Sequence, residues 1–168
     1  MEVSRQIHCA CRSCDCFYYG LATSLMKTFL QTALVPYSAE QVFGVVNDVE
    51  SYPCFLPWCS GSEILSRSLT EIVARLDISG AGVKTSFTTR NLVAPFERIE
   101  MSLIKGPFSE LEGCWKFKPI PDLGCKVEME LSVELGASVL ELPFSKTFDK
   151  SAKKLVDAFC LRLEQQNA

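Results

Sequence analysis

Residues 126–135 read KVEMELSVEL, and their alternation decides what kind of fold this chain builds. Val127, Met129, Leu131, Val133 and Leu135 share one face, while Lys126, Glu128, Glu130, Ser132 and Glu134 share the other. Successive side chains of a strand point to opposite sides, so this run is a strand with one dry face and one wet face. Such strands build antiparallel sheets covered on one side only. Working backwards, the same period recurs in Leu111, Gly113, Trp115 and Phe117, in Ile99, Met101 and Leu103, and in Ile72, Ala74, Leu76 and Ile78. Residues 61–69 and 84–93 add two strands of weaker alternation, and PIPDLG (119–124) is the turn before the last one. Upstream, Phe29, Gln31, Ala33 and Val35 form a short first strand that Pro36 ends.

A sheet with one apolar face needs a cover, and two stretches change to helical spacing. After Pro36, Ser38 is an N-cap with Gln41 completing a capping box. Val42, Phe43, Val45, Val46 and Val49 then put an apolar stripe on a helix of about three turns. At the other end Phe144, Phe148, Ala152, Leu155, Val156, Phe159 and Leu163 recur at helical intervals, flanked by Lys146, Lys150, Lys153 and Lys154. This predicts a long amphipathic helix from about 138 or 144 to 165, the one element long enough to cover the sheet. The expected class is α+β: a curved antiparallel sheet of about seven strands around a long C-terminal helix.

The chain has 168 residues, 48% of them hydrophobic and 22% charged, which suits a single globular domain able to bury its own core. A net charge of −3 gives no global field toward nucleic acid, and DNA is not an expected partner. No apolar run approaches the roughly 18 residues of a membrane span. The expected location is the cytoplasm, with peripheral contact at the inner membrane as an option. Cys54, Cys59, Cys114, Cys125 and Cys160 are scattered singly, as free thiols in a reducing compartment would be.

Four more cysteines crowd into HCACRSCDC (8–16). Thiolates with His8 could fill a Zn²⁺ or Cu⁺ shell, but the CxCxxCxC spacing is tighter than the separated CxxC pairs of zinc ribbons or fingers. Met26 opens a clean first strand. Residues 1–25 therefore read as an unstructured or non-native extension, residues 26–168 as the domain, and no metal is expected.

Residues 47–59, NDVESYPCFLPWC, carry Tyr52, Phe55, Leu56 and Trp58 on a segment that Pro53 and Pro57 keep from forming a long helix. Connecting segments are usually polar because they run over the surface. This one either lips a cavity or caps the core.

Catalytic machinery is missing from the pattern. His8 is the only histidine, so the domain has none for acid–base work or for activating a cysteine. There is no GxSxG, P-loop or GxGxxG, and the carboxylates of the strands lie on wet faces. No catalytic residue is assigned, and a binding module is expected rather than an enzyme.

Three stretches, ALVPYSAEQVFGVVNDVESYPCFLPWC (33–59), KTSFTTRN (84–91) and GPFSELEGCWKFKP (106–119), together closely resemble the RatA/coenzyme Q-binding family of the START-like, helix-grip superfamily. The resemblance covers essentially 26–165 in the right order. It implies a START-like helix-grip fold whose cavity lies between sheet and terminal helix, with the aromatic segment at its mouth. It also implies one of two functions. Mitochondrial members are linked to ubiquinone and respiratory electron transfer. The bacterial RatA is described as a toxin that binds the large ribosomal subunit and blocks its association with the small one.

The first reading makes the protein a carrier of a hydrophobic ligand, foremost ubiquinone or another isoprenoid lipid, supporting respiration with no required cofactor. On strand parity its lining is Phe87, Met101, Trp115, Phe117 and Met129, with Phe148, Leu155 and Phe159 from the helix and Phe108 near the mouth. Tyr52, Phe55, Leu56 and Trp58 form the lip. In the second reading Lys146, Lys150, Lys153 and Lys154 meet ribosomal phosphates. The plain alternatives are ordinary core and a solvated helix face. A third class, an aromatase or cyclase, is the least expected. Arg90 and Asn91 are the only polar pair near the lining, and alternation turns at most one of them inward.

Overall fold

The computed structural model describes residues 26–80, 82–135 and 150–168. Seven strands form one antiparallel sheet: β1 (Met26–Val35), β2 (Cys59–Arg67), β3 (Glu71–Gly80), β4 (Val83–Ala94), β5 (Arg98–Lys105), β6 (Phe108–Ile120) and β7 (Gly124–Leu135). Their order is β1-β7-β6-β5-β4-β3-β2. Strands β2 to β7 are a meander of consecutive hairpins, while β1 crosses to the far edge and pairs with β7 from Met26–Glu134 to Val35–Cys125. Register shifts in β2, between β4 and β5, and at the start of β6 add local bend and twist to the sheet.

The parity read from sequence holds. Val127, Met129, Leu131 and Val133 are buried, as are Trp115, Phe117, Ile72, Ala74, Leu76 and Ile78. On the wet face Lys118 and Lys126 grip Glu128 at 2.6 and 2.7 Å, and the hydrogen bond from Lys118 is the main reason its carboxyl is drawn down to about 2. The turn before β7 needs its glycine. Gly124 has φ +119°, and a Cβ there would lie 2.1 Å from the Val35 carbonyl oxygen, so β1 ends flush against the β6–β7 turn.

Helix α1 (Ala39–Asn47) starts as expected: Gln41 N donates to Ser38 Oγ at 3.2 Å and Ser38 N donates to Gln41 Oε1 at 2.9 Å. It buries Val42, Phe43, Val45 and Val46 against the sheet. The chain then tightens into a 3₁₀ helix, Val49–Cys54, with Pro53 inside it. Among the described residues no helix is long and apolar enough to cross a membrane.

The terminal helix differs from expectation. Its regular part, α2 (Leu155–Gln166), is 12 residues long, and residues 153–154 form a turn between it and the helical residues 150–152. The expected earlier portion, with Phe144, Lys146 and Phe148, lies outside the described residues, as does the cysteine cluster. The break has a visible cause. In a continuous helix the Val156 N–H would bond the Ala152 carbonyl. Instead Val156 N donates to Gln31 Oε1 at 3.1 Å, and Gln31 Nε2 donates to the Ala152 oxygen. One amide from β1 has replaced both halves of a helical hydrogen bond, a known way to kink a helix. Gln31→Leu is therefore expected to destabilise the fold by about 1–3 kcal/mol in urea unfolding, since two backbone groups lose their partners unless the helix closes its own bond. A neutral result would show that the amide merely fills a break made elsewhere.

Candidate functional site

The concave face of the sheet, the 3₁₀ segment and the terminal helix enclose a cavity of about 100 Å³. Val49, Tyr52, Leu56 and Trp58 close it from the 3₁₀ side, and Ala152, Leu155 and Phe159 from the helix. The sheet supplies Leu76, Phe87, Met101, Leu111, Trp115 and Leu131, with Thr89 and Asn91 as the polar members of β4. Three rings pack around Phe159 and hold this side together: its centroid lies 5.0 Å from Trp115, 5.1 Å from Phe55 and 5.2 Å from Tyr52, all edge-to-face. Tyr52 keeps its proton, because burial pushes its phenol up, and its hydroxyl donates to the Val46 carbonyl.

The aromatic segment caps the core more than it opens it. Leu56 is 1% exposed, and Tyr52, Phe55 and Trp58 are half-buried. Backbone bonds fix it: Leu56 N to Tyr52 O at 2.9 Å, Cys59 N to Leu56 O at 2.9 Å and Ser79 N to Trp58 O at 2.9 Å.

Outside the cap runs a second concavity of about 560 Å³, open to solvent, between Phe55, Pro57 and Trp58 on one side and the terminal helix on the other. Trp58 lines both spaces. The helix side carries Lys150, Lys154 and Arg162 against Asp157, with Leu161 among them. The Arg162 guanidinium lies 5.7 Å from the Phe55 ring centroid, and its Nε is buried without a partner among the described residues. An apolar groove with three cations on one wall suits a flat or apolar group attached to an anion.

Burial pushes the thiols of Cys59, Cys114, Cys125 and Cys160 up, away from the reactive thiolate. Among the described residues no three His, Cys, Asp or Glu side chains converge as a metal shell.

Residues 35–160 match the family described as polyketide cyclase / dehydrase and lipid transport. The chain belongs to that family. Within it, the "Ribosome association toxin RatA" of Vibrio cholerae is 46% identical over 140 residues, covering 83% of this chain and 97% of the relative. A mitochondrial coenzyme Q-binding protein of Xenopus laevis is 28% identical over 151 residues, covering 84% of this chain and 62% of the relative. Among solved structures, a START superfamily protein from Mycobacterium smegmatis superposes with a TM-score of 0.69 at 27% identity, covering 83% of this chain and 98% of that one. A Streptomyces aromatase/cyclase superposes at 0.73 with 18% identity, covering 85% and 96%, a likeness of fold alone. The START-like fold read from the three motifs is the observed one.

This member of the polyketide cyclase and lipid transport family distributes its anticipated residues among several places. Tyr52, Leu56, Trp58, Phe87, Met101, Trp115, Leu155 and Phe159 line the cavity. Phe55 does not; it turns outward into the groove. Phe117 lies beneath α1, edge-on to Phe43 at 5.7 Å, and Phe108 packs on Phe87 at 5.5 Å. Met129 is 1% exposed in the core and also stands outside the lining. Parity put Phe117 and Met129 on the dry face correctly but cannot tell which part of that face borders empty space; Phe108, expected near the mouth, is buried on that face after a register shift between Phe108 and Glu110. Phe148 and Lys146 lie outside the described residues. Lys150 and Lys154 line the groove, whereas Lys153 is exposed elsewhere on the same turn. Sequence reasoning missed Thr89 and Arg162. Alternation in TTRN did signal a polar residue inside: Asn91 is buried, and Arg90 points out to Glu71 at 3.5 Å.

Proposed function

We propose that this protein acts by association rather than catalysis, docking on the ribosome through the groove between Phe55–Trp58 and the terminal helix. The observation that carries this reading is the cluster of Lys150, Lys154 and Arg162 beside exposed aromatic edges, in a chain whose net charge is −3. Cations gathered on one wall of an acidic protein point to a phosphate-bearing partner. The 46% identity to a relative named for ribosome association, along nearly its whole length, supports the same choice. The large subunit is the expected partner and the cytoplasm the expected location.

Co-sedimentation of the full chain with isolated large and small subunits tests the reading. Three phosphate contacts predict that affinity falls about 20- to 40-fold between 50 and 200 mM salt. Failure to sediment with either subunit, or a flat salt profile, would overturn it.

A second reading rests on the cavity. Its apolar walls and the coenzyme Q-binding relative favour retention of a hydrophobic ligand. At about 100 Å³ it is smaller than the about 300–1,000 Å³ of common ligand pockets. It matches a single ring better than a ubiquinone with its isoprenoid tail. Peripheral membrane contact belongs to this reading alone, and no cofactor is required by either.

A further inference from the structure

The groove holds one group that a surface built for phosphate alone would not want. Asp157 stands among Lys150, Lys154 and Arg162 on the helix wall, exposed, and makes no ion pair among the described residues. A carboxylate there repels phosphate and weakens the field of the three cations. The opposite wall is apolar, made by Phe55, Pro57 and Trp58. The Arg162 guanidinium lies 5.7 Å over the Phe55 ring and adds a second planar group to the lining. Aromatic rings and guanidinium planes are what unpaired bases of RNA stack on, whereas duplex RNA is read by shape and backbone. Phosphate contacts place a nucleotide, and the groups that touch its edge choose the base. A carboxylate set among lysines and rings fits the second task.

We propose that the groove takes up one unpaired guanine nucleotide of ribosomal RNA, its base stacked against Trp58, its phosphate held by Lys150 and Lys154, and its Watson–Crick edge read by the Asp157 carboxylate. Of the four bases guanine alone sets two donors side by side on that edge, N1–H and N2–H, and they match the two acceptor oxygens of one carboxylate. Adenine and cytosine each place a ring-nitrogen acceptor beside the amino group, and uracil flanks its one N–H with carbonyl oxygens. Each of these three turns a repelling lone pair toward the carboxylate. The edge is free only outside a duplex, so the nucleotide belongs to a loop or bulge, or is splayed out of its stack. The inference rests on the ribosome reading of the groove and names what the groove recognises there.

The test is an NMR titration of the full chain and its Asp157→Asn variant with guanosine, adenosine and xanthosine monophosphates, followed at the Trp58 indole. The three carry the same phosphate, so ratios of affinity isolate the base. Wild type is expected to bind the guanosine nucleotide at least about fivefold more tightly than the adenosine one. Asp157→Asn is expected to lose that preference and to gain the xanthosine nucleotide, whose C2 carbonyl accepts a proton from the new amide. Such a gain cannot come from misfolding. Equal binding of the guanosine and adenosine nucleotides, or binding of neither, overturns the proposal. A guanosine preference that survives in Asp157→Asn overturns it as well. A carboxylate that only complements the positive end of its own helix would leave no base preference to lose. In each of these failures, wild type that still co-sediments with ribosomal subunits keeps the docking reading on phosphate contacts alone, and wild type that does not brings down both.

Discussion

Lys150→Glu with Lys154→Glu is expected to weaken binding to ribosomal subunits about a hundredfold, two charge-assisted contacts being worth about 1.5 kcal/mol or more each. Both side chains border the groove beneath Phe55 and Trp58, and both are exposed, so the fold should not register the change. Lys153→Glu supplies the internal control. It sits on the same turn with the same charge but outside the groove, and is expected to change affinity less than threefold. Equal losses from Lys153→Glu and the double variant would mean that net charge, not this surface, governs association. Unchanged sedimentation of the double variant would remove the groove from the function altogether.

Phe159→Ala is expected to cost about 3–5 kcal/mol of stability, the usual range for deleting a buried aromatic ring. Phe159 makes edge contact with Trp115 of the sheet, with Tyr52 of the 3₁₀ segment and with Phe55 just after it. Its loss merges the space it fills with the existing cavity, so little collapse can compensate. Urea unfolding should show a lower midpoint with an unchanged slope. Phe159→Leu should cost much less, because most of the apolar volume remains. A loss below about 1 kcal/mol for the alanine variant would show that the segment around Tyr52 relaxes into the gap.

These two sites were legible in the sequence to different degrees. Strand parity is a local signal, so KVEMELSVEL and its neighbours announced the sheet and the face on which Trp115 and Met129 lie. Ser38 and Gln41 announced the start of α1 for the same reason, since a capping box spans one turn. The break before Leu155 was invisible. Its cause, Gln31, lies more than a hundred residues away and looks like any polar residue in a strand. The segment around Pro53 fits neither the helical nor the strand period, because a 3₁₀ turn repeats near three residues. Its burial therefore came as a structural finding. The choice between Arg90 and Asn91 was implicit in the parity of Phe87, four residues before Asn91 on the same face, and the structure bears it out: Glu71 stands outside for the guanidinium, and the amide takes the inward place.

The strand order has a consequence for how the protein comes into being. Strands β2 to β7 pair with neighbours as they are synthesised, but β1 pairs only with β7, Met26 waiting for Glu134. The first strand made is thus the last to find its place, and its loop-closure cost is met only at the end. The groove is later still, because its aromatic side comes from residues 54–58 and its basic side from residues 150–165. No nascent chain displays that surface until its last helix has cleared the exit tunnel. A truncated product lacking the C-terminal turns would keep Phe55 and Trp58 and yet lack the basic wall that faces them.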